Sequence, residues 1–238
     1  MTFNVVTSQF WSLVVSGVAL GFIYVLISLG YTMVYGVLRL INFANSEIFM
    51  VGTFATVLVS RNLYKFDQNT NPLTGTKLVL TLASFLFASM VASGITAVVV
   101  ELVAYRRLRA KGTNRLASLI SAIGTSIVLQ ETVRILTHSI PMSNPRVIRK
   151  YDVITFGNTG IRNDILIVIV FAAVLYVTID RFVSKTLLGK AIRAVSMSEE
   201  TSRLMGINLN RVISATFFIG GITTGAAAFL YETVYERS

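Results

Sequence analysis

Residues 11–38 run for 28 positions without one Asp, Glu, Lys or Arg. As an α-helix the run is about 42 Å long at ~1.5 Å per residue, against ~30 Å of bilayer hydrocarbon. Further apolar segments follow at 41–60, 78–103, 116–137, 164–183 and 212–231. Open strands leave backbone groups unpaired in lipid, so each segment is expected to be helical. Of the 238 residues 54% are hydrophobic and only 13% charged, about half the charge of a soluble domain. The sequence therefore predicts an all-α integral membrane protein. Its fold would be a polytopic bundle of about six transmembrane helices, forming one domain over residues 1–238.

Between the first two segments lies a polar knot, with Arg39, Asn42, Asn45, Ser46 and Glu47 close together in GYTMVYGVLRLINFANSEIFMVG (30–52). Such groups are costly against lipid. They belong at a membrane surface, or inside protein beside an aqueous path. Two readings follow: a short turn at the headgroups, or a broken-helix element lining a translocation pathway through Asn42, Asn45, Ser46 and Glu47.

The connections differ in character. Residues 61–77 carry Asn, Pro and Gly turn signals, and Pro72, Pro141 and Pro145 all fall in expected loops. Residues 104–115 hold Arg106, Arg107, Arg109, Lys111 and Arg115 and no acid. The alternating VIRKYDVITF before FGNTG at 156–160 reads as a strand of a short hairpin. The basic excess places 104–115 and 184–211 in the cytoplasm. The N-terminus is then outside if both first segments cross, and inside if they share one crossing. The net charge of +10 fits basic loops held against anionic lipid rather than nucleic acid.

Polar residues inside spans are a second signal. Glu131 and Arg134 stand at i and i+3 beside Gln130, so they share a helix face as an intramembrane pair. Glu101 is expected to pair with the basic residues after it. Gly17 and Gly21, like Gly221 and Gly225, have the spacing of close helix packing, and internal packing is the reading preferred for them.

Several chemistries lack their residues. There is no cysteine, so no disulfide or thiolate metal site, and the single His138 makes no metal cluster. The first basic residue is Arg39, so the charged start of a cleavable signal is missing. No nucleophile elbow, HExxH, Walker A loop or CxxC is present. No catalytic residue, no metal and no cofactor bound by this chain is expected.

Residues 189–206, GKAIRAVSMSEETSRLMG, are too polar to span and strongly helix-forming. Such a stretch lies along the membrane surface or fits a groove in a partner. Here a resemblance enters. GFIYVLISLGYTMVYGVLRLINFANSEIFMVG resembles the signature of permeases of branched-chain amino acid (leucine/isoleucine/valine-type) ABC importers, an LGxTMVYGVLRxINFAHGxxxMxG-like string. Asn45, Ser46 and Glu47 stand where that family usually has His-Gly and a following residue. GKAIRAVSMSEETSRLMGINLNRVISATFFIGG is similar to the family's cytoplasmic loop and next helix. Glu200, Thr201, Ser202 and Gly206 keep the spacing of its EAAxxxG coupling motif, without the later I-x-L-P. The chain stops at YETVYERS, where the family usually continues with further spans.

The resemblance implies a multi-pass permease of a bacterial-type plasma (inner) membrane, carrying branched-chain or other neutral amino acids. It implies a second permease subunit, two cytoplasmic ATPase subunits and a periplasmic or extracellular substrate-binding protein, with no nucleic acid. It assigns coupling to a cytoplasmic helix bearing Arg193, Glu199, Glu200, Arg203 and Gly206. ATP hydrolysis would belong to the ATPase subunits, so this chain is not expected to be an enzyme. A secondary transporter or channel for a small polar solute is the rival class, and a membrane anchor without transport the third.

Overall fold

The computed structural model describes residues 2–66, 73–110, 115–138, 147–156 and 159–235. Pro72, Pro141, Pro145, Lys111 and the hairpin turn at 157–158 lie outside them. Helix α1 (Thr2–Leu38) is followed by an irregular stretch and a short α2 (Asn45–Leu58), which ends in a π-helical turn, Val59–Leu63. Helix α3 (Thr76–Val100) continues through a π-helical segment, Glu101–Arg106, into α4 (Arg107–Ala110). Then come α5 (Arg115–Leu136), a hairpin of β1 (Asp152–Phe156) and β2 (Thr159–Arg162), and α6 (Asn163–Lys185). Helices α7 (Leu187–Met197), α8 (Glu199–Leu204) and α9 (Leu209–Val234) complete the chain.

Among the described residues five helices are long and apolar enough to span: Leu13–Leu38, Thr76–Arg109, Leu116–Leu136, Asn163–Lys185 and Leu209–Val234. The second expected span differs. Its helix begins only at Asn45 and runs through the π-helical turn to Leu63, and with Asn45, Ser46 and Glu47 at one end and Arg61 and Asn62 at the other it is not apolar enough to count among the spans. An irregular stretch of bends and turns, 39–44, precedes it. The expected hairpin is present and antiparallel, with Thr155 opposite Gly160 and an irregularity between Asp152 and Ile154.

Helix α9 is the axis of the bundle. In the other four spans at most 28% of the most apolar window is buried, but in α9 it is 72%. Its sequence GGITTGAAA (220–228) explains this, because small residues let neighbours approach to backbone contact. A Cβ on Gly221 would lie 2.7 Å from the Ser93 carbonyl oxygen, and one on Gly225 2.5 Å from that of Ser89. One on Gly30 of α1 would lie 2.6 Å from the Gly220 carbonyl, and one on Gly52 of α2 2.6 Å from Ser93 Oγ. The hydroxyls buried here satisfy themselves locally, Thr216 on the Val212 carbonyl and Thr224 on that of Gly220. Gly17 and Gly21 make no such contact, because both lie on the open side of α1. For these two glycines the expected internal packing is absent.

Two apolar clusters mark the ends of the bundle. Ala19 and Ile23 gather with Phe85, Val168 and Leu230 at the hairpin end. Val34 and Val37 gather with Val100, Ile192, Val195 and Val212 at the basic end. Helix α1 thus runs antiparallel to α9 through both clusters and does not share its crossing with α2. The third helix also outruns its expected end at 103, because Arg106 and Arg109 fold back onto Glu101 instead of entering a loop.

Candidate functional site

Positions along α9 give a depth scale. From Leu209 to Val234 is about 38 Å at 1.5 Å per residue. Arg39 sits at the Leu209 end, where its Nη2 donates to the Ser196 and Met197 carbonyls at 3.0 Å each. Asn42 Oδ1 accepts from Tyr105 Oη at 3.2 Å, and the Tyr105 ring meets Phe217 at 5.5 Å between centroids, about 12 Å along α9. Asn45 Oδ1 lies 3.4 Å from Thr224 Oγ1, about 22 Å along α9. The polar knot is therefore a climbing strap. It starts at the Leu209 end of α9 and reaches the middle of the bundle.

The strap carries its own hydrogen bonds. Asn42 Oδ1 also accepts from the Ala44 amide at 3.2 Å, and the Asn45 amide donates to the Asn42 carbonyl at 3.3 Å. Such a side-chain turn holds the chain out of a helix while satisfying buried backbone. Asn42 and Asn45 are buried, and they brace the strap from within. Ser46 is exposed and Glu47 half-buried, and the Ser46 hydroxyl donates to Glu47 Oε2 at 2.8 Å. The structure thus splits the expected pathway residues into an inner pair and an outer pair.

Glu101 gathers more partners than the sequence indicated. It is fully buried. Its oxygens accept from Arg106 Nε and Nη2 at 3.3 and 3.0 Å, Arg109 Nη2 at 3.3 Å and Ser214 Oγ at 2.9 Å. Arg109 Nη2 also reaches Asn210 Oδ1 at 2.8 Å. The π-helical register of 101–106 returns residue i+5 beneath residue i, which brings Arg106 under Glu101. The cluster ties the end of α3 to the start of α9. The spacing of Glu101, Arg106 and Arg109 was the available signal, but it does not match α-helical periodicity.

The loop 186–208 is built as a tight structure. Thr186 caps α7, its Oγ1 accepting from the Gly189 amide at 3.1 Å. Gly189 is required, since a Cβ there would stand 2.0 Å from the Val183 carbonyl oxygen. Arg193 turns back to the C-terminus of α6 and donates to the Val183 and Ser184 carbonyls. It serves as a strut within the chain. Ser198 Oγ caps α8 by accepting from the Thr201 amide at 3.2 Å. Gly206 has φ +80°, and the Ile207 amide bonds the Ser202 carbonyl while the Gly206 amide bonds that of Arg203. That pair of bonds is the Schellman ending, whose left-handed residue is usually glycine. Glu200 and Arg203 are exposed beside Leu204 and Met205, which are 83% and 79% exposed. Glu199 is half-buried.

Glu131 and Arg134 do pair, Arg134 Nη2 to Glu131 Oε1 at 2.5 Å and Nε to Oε2 at 2.7 Å. Both are substantially exposed, on a side of α5 that the chain's own bundle does not cover. The structure keeps them apart from the strap and the loop.

Comparison with known proteins places these features in a family. Residues 13–237 match the family model described as branched-chain amino acid transport system / permease component. The chain is 36% identical over 227 residues to the high-affinity branched-chain amino acid transport system permease protein BraD of Pseudomonas aeruginosa, covering 93% of this chain and 70% of that one. It is 34% identical over 225 residues to the corresponding LivH protein of Escherichia coli K12, covering 92% of this chain and 70% of that one. No solved structure matches. These matches favour the permease reading over a secondary transporter or channel. With a match over almost its whole length, the chain belongs to the permease-component family of branched-chain amino acid transport systems.

Proposed function

We propose that this chain is the membrane-spanning subunit of an ATP-binding-cassette importer for branched-chain or other neutral amino acids. It sits in a bacterial inner membrane with the Arg106–Arg109 end in the cytoplasm. A second permease subunit completes the pathway, two ATPase subunits dock on α7 and α8, and a binding protein delivers substrate at the hairpin end. One observation carries the mechanism: Arg39, the first residue of the strap, holds the last carbonyls of α7. A displacement of the docked loop therefore pulls on a non-helical segment that reaches the middle of the bundle. Ser46 and Glu47, on the outer side of that segment, are the groups placed to meet solute. Glu200 contributes a weak surface contact of ~0–1 kcal/mol, so the shape of the loop supplies most of the hold on a partner.

Co-purification of ATPase subunits and substrate-stimulated ATP hydrolysis test this with Gly206→Val and Glu200→Ala. Gly206→Val is expected to lose both, and Glu200→Ala to weaken them only moderately. A Gly206→Val complex that keeps its ATPases and its stimulation would remove the docking role from this loop.

A further inference from the structure

A groove of about 250 Å³ runs down the outside of the bundle at the hairpin end, between α3 and α6. Val79 and Leu86 form one wall, Ile167 and Phe171 the other, and Phe229 and Leu230 of α9 the floor. Thr233 also lines it, but its hydroxyl is turned onto the Phe229 carbonyl at 2.9 Å, so the lining offers a ligand no free side-chain hydrogen bond. Val79 and Ile167 are 65% and 44% exposed, so the groove opens outward. Along α3 it extends about 10 Å, starting one turn below the hairpin end of a span that crosses ~30 Å of hydrocarbon. That is the depth of one leaflet's acyl chains.

The lining and the dimensions decide what can fill it. A polar solute has nothing to bind there. An α-helix is 10–12 Å across with its side chains, too wide for this volume over this depth. Extended hydrocarbon fits both. An acyl chain gains no hydrophobic free energy on leaving other lipid tails, but it supplies the dispersion contacts that a void would forfeit. Selectivity then falls to the rim. Lys77 stands two residues before Val79, Arg149 follows the lining residue Ile148, and both are exposed. The Leu73 amide donates to the Val147 carbonyl at 3.0 Å, which ties the two segments together. Lys150 and Arg162 are spent on the buried Asp164, and Glu232 is engaged within the chain. With Asp152 exposed at the start of β1, these charges leave the rim net positive. Helix α3 also begins without a side-chain cap, so its first amides favour an anion at the same end.

We propose that this groove holds an acyl chain of an anionic diacyl phospholipid from the leaflet at the hairpin end, with the lipid phosphate between Lys77 and Arg149. Helix α6 packs on α9 and leaves the gap toward α3. The bound lipid closes that gap and braces α6.

The test is native mass spectrometry of the purified full chain in detergent, titrated with phosphatidylglycerol or with phosphatidylcholine of the same acyl chains. The wild type is expected to retain one phosphatidylglycerol about tenfold or more tightly than phosphatidylcholine. Lys77→Gln and Arg149→Gln should each weaken it about fivefold, with phosphatidylcholine binding unchanged. Ala83 lines the groove and is exposed, so Ala83→Trp fills it from the open side and should remove the tight lipid. Leu80→Trp adds the same bulk outside the groove and should keep it. Equal retention of both lipids by the wild type would overturn the proposal. So would a tight lipid that survives Ala83→Trp, or one indifferent to both rim variants. Loss of a co-purifying protein chain from Ala83→Trp, with lipid binding unchanged, would make the groove a seat for a partner's helix instead.

Discussion

Replacing Glu101 by Gln tests the clamp between α3 and α9. The substitution keeps the size of the side chain but removes the charge, and it turns one acceptor oxygen into a donor facing arginine nitrogens. Four hydrogen bonds converge on the carboxylate. Breaking a buried ion pair from one side costs ~3–5 kcal/mol. Arg106 is 37% exposed and Arg109 19%, so water reaches part of what is orphaned, and the low end of the range, ~3 kcal/mol, is the expectation. At roughly 2–4 °C per kcal/mol for a domain of this size, the midpoint should fall by ~6–12 °C. Ser214→Ala removes a single bond to the carboxylate, about 1.5 kcal/mol and ~3–6 °C. The assay is size-exclusion chromatography of purified protein after heating, read as the fraction remaining monodisperse. A Glu101→Gln midpoint within ~2 °C of the wild type, or one above that of Ser214→Ala, would refute the assignment of Glu101 as the clamp.

Gly225→Leu should abolish a monodisperse peak altogether, because its Cβ meets backbone rather than a yielding side chain, whereas Gly17→Leu should leave the profile unchanged. Gly189→Ala should disorder α7 and expose the α6–α7 junction to limited proteolysis, a result that unchanged cleavage would contradict. Gly206→Asn should retain more ATPase co-purification than Gly206→Val, since asparagine tolerates the left-handed backbone and nothing crowds the position. The chain has no cysteine of its own, so Cys at Met197 and at Thr74 should react with an impermeant maleimide from opposite faces of the membrane; labelling of both from one face would overturn the topology.

Local rules carried much of this fold into view before the structure. Long apolar runs set five spans, the alternating stretch set the hairpin, and Gly206 took the backbone angle that a helix ending needs. The strap was only half legible. Ile41, Phe43 and Ala44 extend the hydrophobic pattern, and only the Asn42 side-chain turn, whose partner Tyr105 is 63 positions away, shows why no helix forms there. The Glu101 cluster was legible as a pairing but not as a clamp, because a π-helical register sets which arginines arrive. The glycines make the same point. Gly17 with Gly21 and Gly221 with Gly225 have identical spacing, and only their three-dimensional neighbours separate an open helix side from a seam without room for a methyl group.

That seam decides which parts of the bundle can move. Gly30, Gly52, Gly221 and Gly225 bring α1, α2, α3 and α9 to distances at which a Cβ would already overlap its neighbour. Sliding α9 past α3 by one turn would bring a bulkier side chain of the same face into one of the two glycine places beside Ser89 and Ser93. Those close approaches oppose independent sliding of the four helices, so an alternating-access cycle would fall to tilts of the group, to the strap and to displacements of α5 and α6 around it.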